Sequence, residues 1–174
     1  MKINIKENIV LIGFMGVGKS SVSKSLGKAL HKEVVSTDVE IERREGRSVA
    51  GIFKESGEAY FRQIEKQIVK KVSTREEIII DCGGGVVLDQ ENIDTLKKNG
   101  RLIHLSASEE FIHRMISRNK DRPLLHGVSH PQEKIKALLE QRRSKYEQAD
   151  LMIVSEGKTI DQVTEEIVRE LEHG

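Results

Sequence analysis

The chain has 174 residues, a length that suits one domain with a proper core. Its 29 Lys and Arg nearly balance its 28 Asp and Glu, and a net charge of +1 argues against a protein that binds duplex nucleic acid. A single cysteine, Cys82, excludes an intramolecular disulfide and a zinc site built from several cysteines.

The N-terminal stretch has no signal-peptide pattern, and no apolar run reaches membrane length. We therefore expect one domain over residues 1–174 with no membrane or nucleic-acid partner. The single cysteine favours a reducing compartment, which we take to be the cytoplasm. We expect a monomer.

The first predicted strand leads into a glycine-rich loop. Residues 8–12 (NIVLI) suit a buried strand, and residues 13–20 (GFMGVGKS) fit the phosphate-binding pattern G-x-x-x-x-G-K-[ST]. Apolar residues at helical spacing follow over 21–30, so strand, loop and helix come in the order that this pattern requires. The loop glycines let backbone N–H groups turn toward phosphate oxygens. The sequence therefore predicts a nucleotide phosphate site.

Two side chains of this loop have expected roles of their own. Lys19 would place a positive charge at the β- and γ-phosphates, and the Ser20 hydroxyl would bind Mg²⁺. The nucleotide-binding residues that we expect in this region are Gly16, Val17, Gly18, Lys19, Ser20 and Ser21.

A second strand over 33–36 is followed by Asp38, at the edge where ligands collect in parallel sheets. Asp38 equally suits a helix N-cap, and the spacing does not decide between the two roles. Helices are predicted over 48–54 and 58–72, separated near Gly57. In the second of these helices Arg62 and Glu65 lie three apart and could form a pair, for which a surface bridge is the simplest interpretation.

The third predicted strand, 77–81, ends in Asp81 just before three consecutive glycines. Three glycines in a row are costly in backbone entropy, and a tight turn needs only one or two. We therefore expect a ligand to approach the main chain closely at Gly83, Gly84 and Gly85.

The remaining elements alternate in the same way. Helices are predicted over 89–98, from the Ser108 cap to Ile116, over 132–148 and over 160–171, with strands over 102–105 and 151–154. His104 is interpreted as structural, and His126 and His130 have no partners at metal-ligand spacing. Residues 114–132 combine Arg114, Arg118, Lys120 and Arg122 with two prolines and a glycine, a composition that suits a mobile lid over phosphates.

Five short apolar strands that alternate with helices predict an α/β fold, with a parallel sheet covered on both faces in a three-layer α-β-α sandwich.

With these motifs in hand, nearly the whole chain resembles a shikimate kinase. The matching pieces are GFMGVGKS at 13–20, Asp38, FRxxE at 61–65, the glycines at 83–85, RPLL at 122–125 and Arg142. The P-loop alone is common, but its combination with FRxxE, GGG and RPLL in this order is specific.

The resemblance implies a nucleoside-monophosphate-kinase-like fold with strand order 2-3-1-4-5 and transfer of the ATP γ-phosphate to the 3-hydroxyl of shikimate. Carried over by position, Asp38 would hold the hydroxyls of the substrate, and Arg62 and Arg142 would bind its carboxylate. Gly83, Gly84 and Gly85 would approach the ring. Arg122 would reach from the lid to the phosphates, and Lys19, Asp38 and Arg122 would be the catalytic residues.

One departure concerns the metal. The family usually has Asp-x-Asp where this chain has Ser36-Thr37-Asp38, and the missing acid helps to order the waters of Mg²⁺. We expect that Asp81, at the end of its strand, orders these waters instead, much as the acid of a Walker B strand does. The alternative is that Asp81 only caps the glycine turn.

Three other functions are alternatives to this activity. A small GTPase is disfavoured because no N-K-x-D string follows a late apolar strand. A kinase of the same fold that acts on another hydroxy acid, such as gluconate, and a ligand-binding homologue without catalysis stay open at this point.

Overall fold

The computed structural model describes residues 6–118, 125 and 127–173. Its centre is a parallel sheet of five strands in the order β2-β3-β1-β4-β5. The strands are β1 (Asn8–Ile12), β2 (Val34–Ser36), β3 (Ile79–Asp81), β4 (Gly100–Ser106) and β5 (Leu151–Val154). The α/β class and the strand order inferred from the resemblance are both confirmed.

Seven α-helices occur within the described residues. They are α1 (Lys19–Leu30), α2 (Thr37–Glu45), α3 (Val49–Ser73), α4 (Gln90–Lys98), α5 (Glu109–Ser117), α6 (Pro131–Tyr146) and α7 (Ile160–His173). A short 3₁₀ turn, Val86–Leu88, follows the glycine triplet.

The sheet separates two hydrophobic layers, because successive residues of a strand point to opposite faces. Val10 and Ile12 of β1 join the layer formed with α2, α3 and α4. Ile9 and Leu11 join the layer formed with α1, α5, α6 and α7. All five residues of β1 are buried, as expected for the central strand of a sheet covered on both sides.

Helix α3 contains the interruption that the sequence predicted at Gly57. Its φ of 81° and ψ of 169° are not helical, and the backbone turns there between two helical segments. Ser48 begins the first segment by accepting a hydrogen bond from Gly51 N at 3.0 Å. The N-cap predicted at Ser108 is also present, with Ser108 Oγ accepting from Phe111 N at 3.1 Å.

Several predicted boundaries were wrong by a few residues. Strand β3 begins at Ile79 instead of residue 77, because Glu77 has a left-handed φ of 58° that a strand excludes. Helix α6 ends at Tyr146 instead of residue 148, and strand β4 extends beyond 102–105 at both ends. Among the described residues no helix is long and apolar enough to cross a membrane.

Candidate active site

The P-loop lies between β1 and α1, at the carboxyl edge of the sheet. Gly16 and Gly18 have φ values of 86° and 95°, which favour glycine over residues with a side chain. Gly18 directly precedes α1, so the first free N–H groups of the helix face the loop. These features match the backbone cradle for phosphate that the sequence predicted.

Lys19 is buried and folds back over the loop. Its Nζ donates to the carbonyl oxygens of Gly13 and Phe14, at 2.8 and 3.0 Å. The ammonium group is thereby held over the cradle by the backbone of the loop itself. A cation fixed in this way presents its charge to a phosphate without first having to be ordered.

Ser20 and Asp81 are joined by a hydrogen bond. Ser20 Oγ donates to Asp81 Oδ2 at 2.7 Å, and Asp81 is the residue of β3 that lies opposite Ser36 of β2 in the sheet register. Burial raises the pKa of Asp81, while the hydrogen bond from Ser20 and the charge of Lys19 act in the opposite direction. The carboxylate of β3 therefore stands directly beside the hydroxyl of the P-loop.

Asp38 lies in the first turn of α2 and is not its N-cap. That position belongs to Ser36, whose Oγ accepts from Val39 N at 3.4 Å. Asp38 Oδ1 is buried without a hydrogen-bond partner among the described residues. Burial raises the pKa of Asp38, and the positive charge of Lys19 partly opposes this effect.

The glycine triplet is crowded by other parts of the protein. A Cβ added at Gly83 would come within 2.6 Å of Asp38 Oδ1, and one at Gly85 would come within 2.3 Å of Arg62 Nη2. At Gly84 the nearest atom would be Met15 N of the P-loop, at 3.3 Å. The missing side chains thus let an acid, a guanidinium and the phosphate loop converge on one turn.

Arg62 and Glu65 form a pair that is not the surface bridge of the simplest sequence interpretation. Arg62 Nη1 donates to Glu65 Oε1 at 2.8 Å, and Glu65 is 1% exposed. Its second oxygen, Oε2, has no partner within the described structure. Burial raises the pKa of Glu65 to about 7, against the effect of the Arg62 charge.

Arg142 is fully buried, with 0% exposure, next to the glycine turn. Its Nη1 donates to Gly84 O at 2.9 Å, and its guanidinium carbon lies 5.1 Å from the centre of the Phe14 ring. Nε and Nη2 have no hydrogen-bond partner within the described residues. Buried donors of a charged group without partners are unfavourable, so an arriving anion would relieve them.

Two cavities follow this arrangement. One, of ≈ 570 Å³, runs over the P-loop and includes Lys19, Ser20, Asp81 and Arg118 in its lining. A smaller one, of ≈ 90 Å³, lies between Asp38, Arg62, Glu65 and the glycines, with Phe53 and Phe61 as apolar walls. Asp38 and Met15 line both, so the two spaces are adjacent.

The predicted lid is described only in part. Arg122, Lys120 and His126 lie outside the described residues. Arg114 packs over the Phe111 ring at 5.5 Å, while Arg118 reaches the P-loop cavity.

Sequence reasoning assigned no role to two residues of this site. Thr37 is fully buried, and its Oγ1 accepts from Gly83 N at 3.0 Å, so it supports the glycine turn. Tyr146 donates to Gly84 O at 3.1 Å beside Arg142. The partners are 46 and 62 residues apart, and no local pattern signals such contacts.

A P-loop after the central strand of a 2-3-1-4-5 sheet, with a second polar pocket beside it, defines a P-loop kinase. The family model for shikimate kinase matches residues 15–172. A shikimate kinase of Caldanaerobacter subterraneus subsp. tengcongensis is 48% identical over 163 residues, covering 94% of this chain and 95% of the relative. A shikimate kinase of Thermodesulfovibrio yellowstonii is 44% identical over 166 residues, covering 95% of each.

The fold gives the same answer. The structure of a shikimate kinase from Acinetobacter baumannii in complex with shikimate superposes with a TM-score of 0.92 at 30% identity, covering 96% of this chain and 93% of that one. The chain belongs to the shikimate kinase family.

Proposed function

We propose that this protein transfers the γ-phosphoryl group of ATP to the 3-hydroxyl of shikimate. One observation carries the choice of acceptor. Around the glycine turn, two nitrogens of Arg142 and one oxygen each of Asp38 and Glu65 are buried without partners among the described residues. A compact molecule that carries a carboxylate and several hydroxyls would satisfy both kinds of atom.

The carboxylate of the acceptor would pair with Arg62 and Arg142, because the planar guanidinium binds a carboxylate through two parallel hydrogen bonds. Phe53 and Phe61, whose ring centres are 4.7 Å apart, give the small cavity an apolar wall suited to a ring. Gly83, Gly84 and Gly85 let Asp38, Arg62 and the P-loop approach the turn closely, and they line the small cavity in which the ring would lie.

Asp38 would hold the hydroxyl that attacks. Its Oδ1, which has no partner among the described residues, can accept the hydroxyl proton, and the raised pKa of Asp38 makes it a better proton acceptor than an exposed aspartate. Asp38 lines both cavities, which supports its place between the acceptor and the phosphates.

The nucleotide would lie in the larger cavity. Backbone N–H groups from Gly16 to Ser21 would bind its phosphate oxygens, and Lys19 would stabilise the charge that develops during transfer. Arg122 is proposed, by position in the family motif, to reach the phosphates from a lid at about 114–132.

The chain also fits a Mg²⁺ site at Ser20. Two hard oxygen donors, Ser20 Oγ and Asp81 Oδ2, meet at the P-loop, as this ion prefers. Ser20 would bind the ion directly, and Asp81 would orient its waters in place of the acid that is missing at Ser36. Bound there, Mg²⁺ would neutralise charge on the β- and γ-phosphate oxygens.

A coupled assay of ADP release tests the proposal with shikimate, with gluconate and without acceptor. We expect turnover that depends on shikimate and little release with gluconate or with ATP alone. Release that is equal in all three reactions would contradict the acceptor assignment. Family membership supports shikimate over gluconate. The buried oxygens of Asp38 and Glu65 and the buried nitrogens of Arg142 that have no partner among the described residues disfavour a homologue that has lost its ligands.

A single domain over residues 1–174, a monomeric state, a cytoplasmic location, and the lack of nucleic-acid or membrane partners stay predictions. Light scattering of the purified protein checks the monomer directly.

A further inference from the structure

A third cavity, distinct from the two described above, is lined by residues of α5, α6, β4 and β5. We call it the rear cleft. Its volume is ≈ 590 Å³, comparable with that of the P-loop cavity and within the range of small-molecule sites. It shares no lining residue with either of the other two cavities.

The wall of the rear cleft contains a flat aromatic pair. The rings of His104 and Tyr146 are stacked, with centres 4.5 Å apart and planes inclined by 9°. Leu139 and Ala149, which are only partly buried, add apolar surface beside them. His104 is only partly buried, so its ring is the member of the pair that a planar ligand can contact, and stacking adds to the burial of apolar area.

These walls are held in place before any ligand arrives. The Tyr146 hydroxyl is tied to Gly84 O, and Phe14 is covered by the Arg142 guanidinium. Both aromatic residues are buried, with exposures of 4% and 1%. A preformed pocket binds with less loss of conformational freedom than one that must be ordered by its ligand.

His104 offers a polar contact inside the cleft. Burial and the nearby Lys19 charge lower the pKa of His104 to about 4, so the imidazole is neutral near pH 7. A neutral imidazole has one N–H donor and one acceptor nitrogen. Among the described residues no hydrogen bond to this ring occurs, so both nitrogens are available to a ligand.

The rim of the rear cleft carries five charged side chains. Arg143 and Glu140 pair with each other at 2.7 Å, which leaves Lys136 against the two acids Glu109 and Glu147. The lining thus has one more negative than positive charge. This balance disfavours anions such as nucleotides or carboxylate acceptors and favours neutral or cationic molecules.

We propose that the rear cleft binds a small planar aromatic compound that is neutral or positively charged. His104, Leu139 and Ala149 would contact its ring, and a ring nitrogen or N–H would pair with the His104 imidazole. Glu109 and Glu147 would attract a positive group. The proposal does not depend on which acceptor the kinase phosphorylates.

The methionines of the chain make the test specific. Met152 lines the rear cleft, whereas Met15 and Met115 line the P-loop cavity. With the methionine methyl groups labelled with ¹³C, indole, tryptamine and indole-3-acetate are titrated separately. We expect indole and tryptamine to shift the Met152 signal before those of Met15 and Met115, with dissociation constants of roughly millimolar order for ligands of this size.

Reversing one charge at the rim tests the preference of the rear cleft for cationic over anionic ligands. Glu147→Lys should weaken tryptamine and strengthen indole-3-acetate, each by about 3- to 10-fold. Glu133→Lys is the matched control, because Glu133 is an exposed residue of the same helix that does not line the cleft. It should leave both affinities unchanged.

A variant that fills the cleft completes the test. Leu139→Trp places a larger side chain in the lining, and it should reduce tryptamine binding by about 10-fold or more. Unchanged Met15 and Met115 signals would establish that this variant is folded. The proposal is overturned if the probes shift Met15 or Met115 without Met152, if no probe shifts Met152, or if Leu139→Trp binds tryptamine as well as the unmodified protein does.

Discussion

Replacing Glu65 with glutamine should remove a pH dependence of stability that the buried carboxyl creates. The pKa of Glu65 is raised from 4.5 to about 7 by burial, so ionisation is harder in the folded state than in the unfolded chain. The stabilising effect of the protonated form is complete below the unfolded pKa of 4.5 and is lost as the pH rises through about 7. Glutamine stays neutral throughout.

The size of the effect follows from the two pKa values. The difference between 4.5 and about 7, at about 1.4 kcal/mol for each pH unit, amounts to about 3 kcal/mol in full. About 2 to 3 kcal/mol of this falls between about pH 5 and pH 8. Solvent screening reduces it little, because Glu65 is only 1% exposed. Relative to Glu65→Gln, the unmodified protein should lose this amount of unfolding free energy over that interval.

Urea denaturation of both proteins at the two pH values measures the effect as a difference of differences. Glu91→Gln is the control, since hydrogen bonds from Lys66 and Lys70 hold the pKa of the exposed Glu91 at about 2. Glu91 is therefore largely ionised in both folded and unfolded chains over this interval, and its replacement should give nearly the same offset at both pH values. An equally constant offset for Glu65→Gln would refute the reasoning.

Further predictions concern phosphoryl transfer from ATP to the acceptor. Lys19→Met should leave a folded protein, checked by circular dichroism, whose kcat is lower by about 100-fold or more, because a preorganised charge at the phosphates is lost. Arg142→Ala should raise the KM for shikimate by roughly 10- to 150-fold, the usual effect of removing a charged hydrogen bond, and leave the KM for ATP nearly unchanged. A raised KM for ATP with an unchanged KM for shikimate would show that Arg142 does not belong to the acceptor pocket. Asp81→Asn should raise the Mg²⁺ concentration for half-maximal rate by about 10- to 100-fold, and Ser36→Asp in that background should partly restore it; calorimetry of Mg²⁺–ADP binding gives the same comparison without turnover. Hydrogen exchange over residues 114–132 should slow when nucleotide and acceptor are both bound, and unchanged protection would exclude a closing lid.

The parts of the fold that local patterns govern could be predicted from the sequence. All five strands of the sheet were placed within two residues at each end because each is a short apolar run between polar or glycine-containing segments. At β3 the left-handed backbone of Glu77 makes the strand begin two residues later than predicted. The P-loop was found because its residue order follows directly from the chemistry of phosphate binding.

The geometry of the acceptor pocket was less accessible, because it depends on contacts between distant parts of the chain. The spacing of Arg62 and Glu65 shows that they can pair, but burial of the pair comes from the packing of α3 against the glycine turn. In the same way, no local feature shows that Arg142 donates to Gly84 O while two of its nitrogens have no partner among the described residues. Such burial is a property of the assembled core and becomes visible only in three dimensions.

The relation between Ser36 and Asp81 depends both on the sequence pattern and on contacts in three dimensions. The sequence shows an acid at the end of one strand and a serine at the end of another, and the strand order implied by the family resemblance makes these strands neighbours without giving their register. In the sheet the two residues are opposite each other in register, and Asp81 already binds the Ser20 hydroxyl. Moving a carboxylate from β2 to β3 therefore displaces it by about one strand spacing, roughly 5 Å, which the waters of a bound ion can bridge. We therefore propose that Asp81 takes the place of the acid missing at Ser36, and an unshifted Mg²⁺ titration for Asp81→Asn would refute this role.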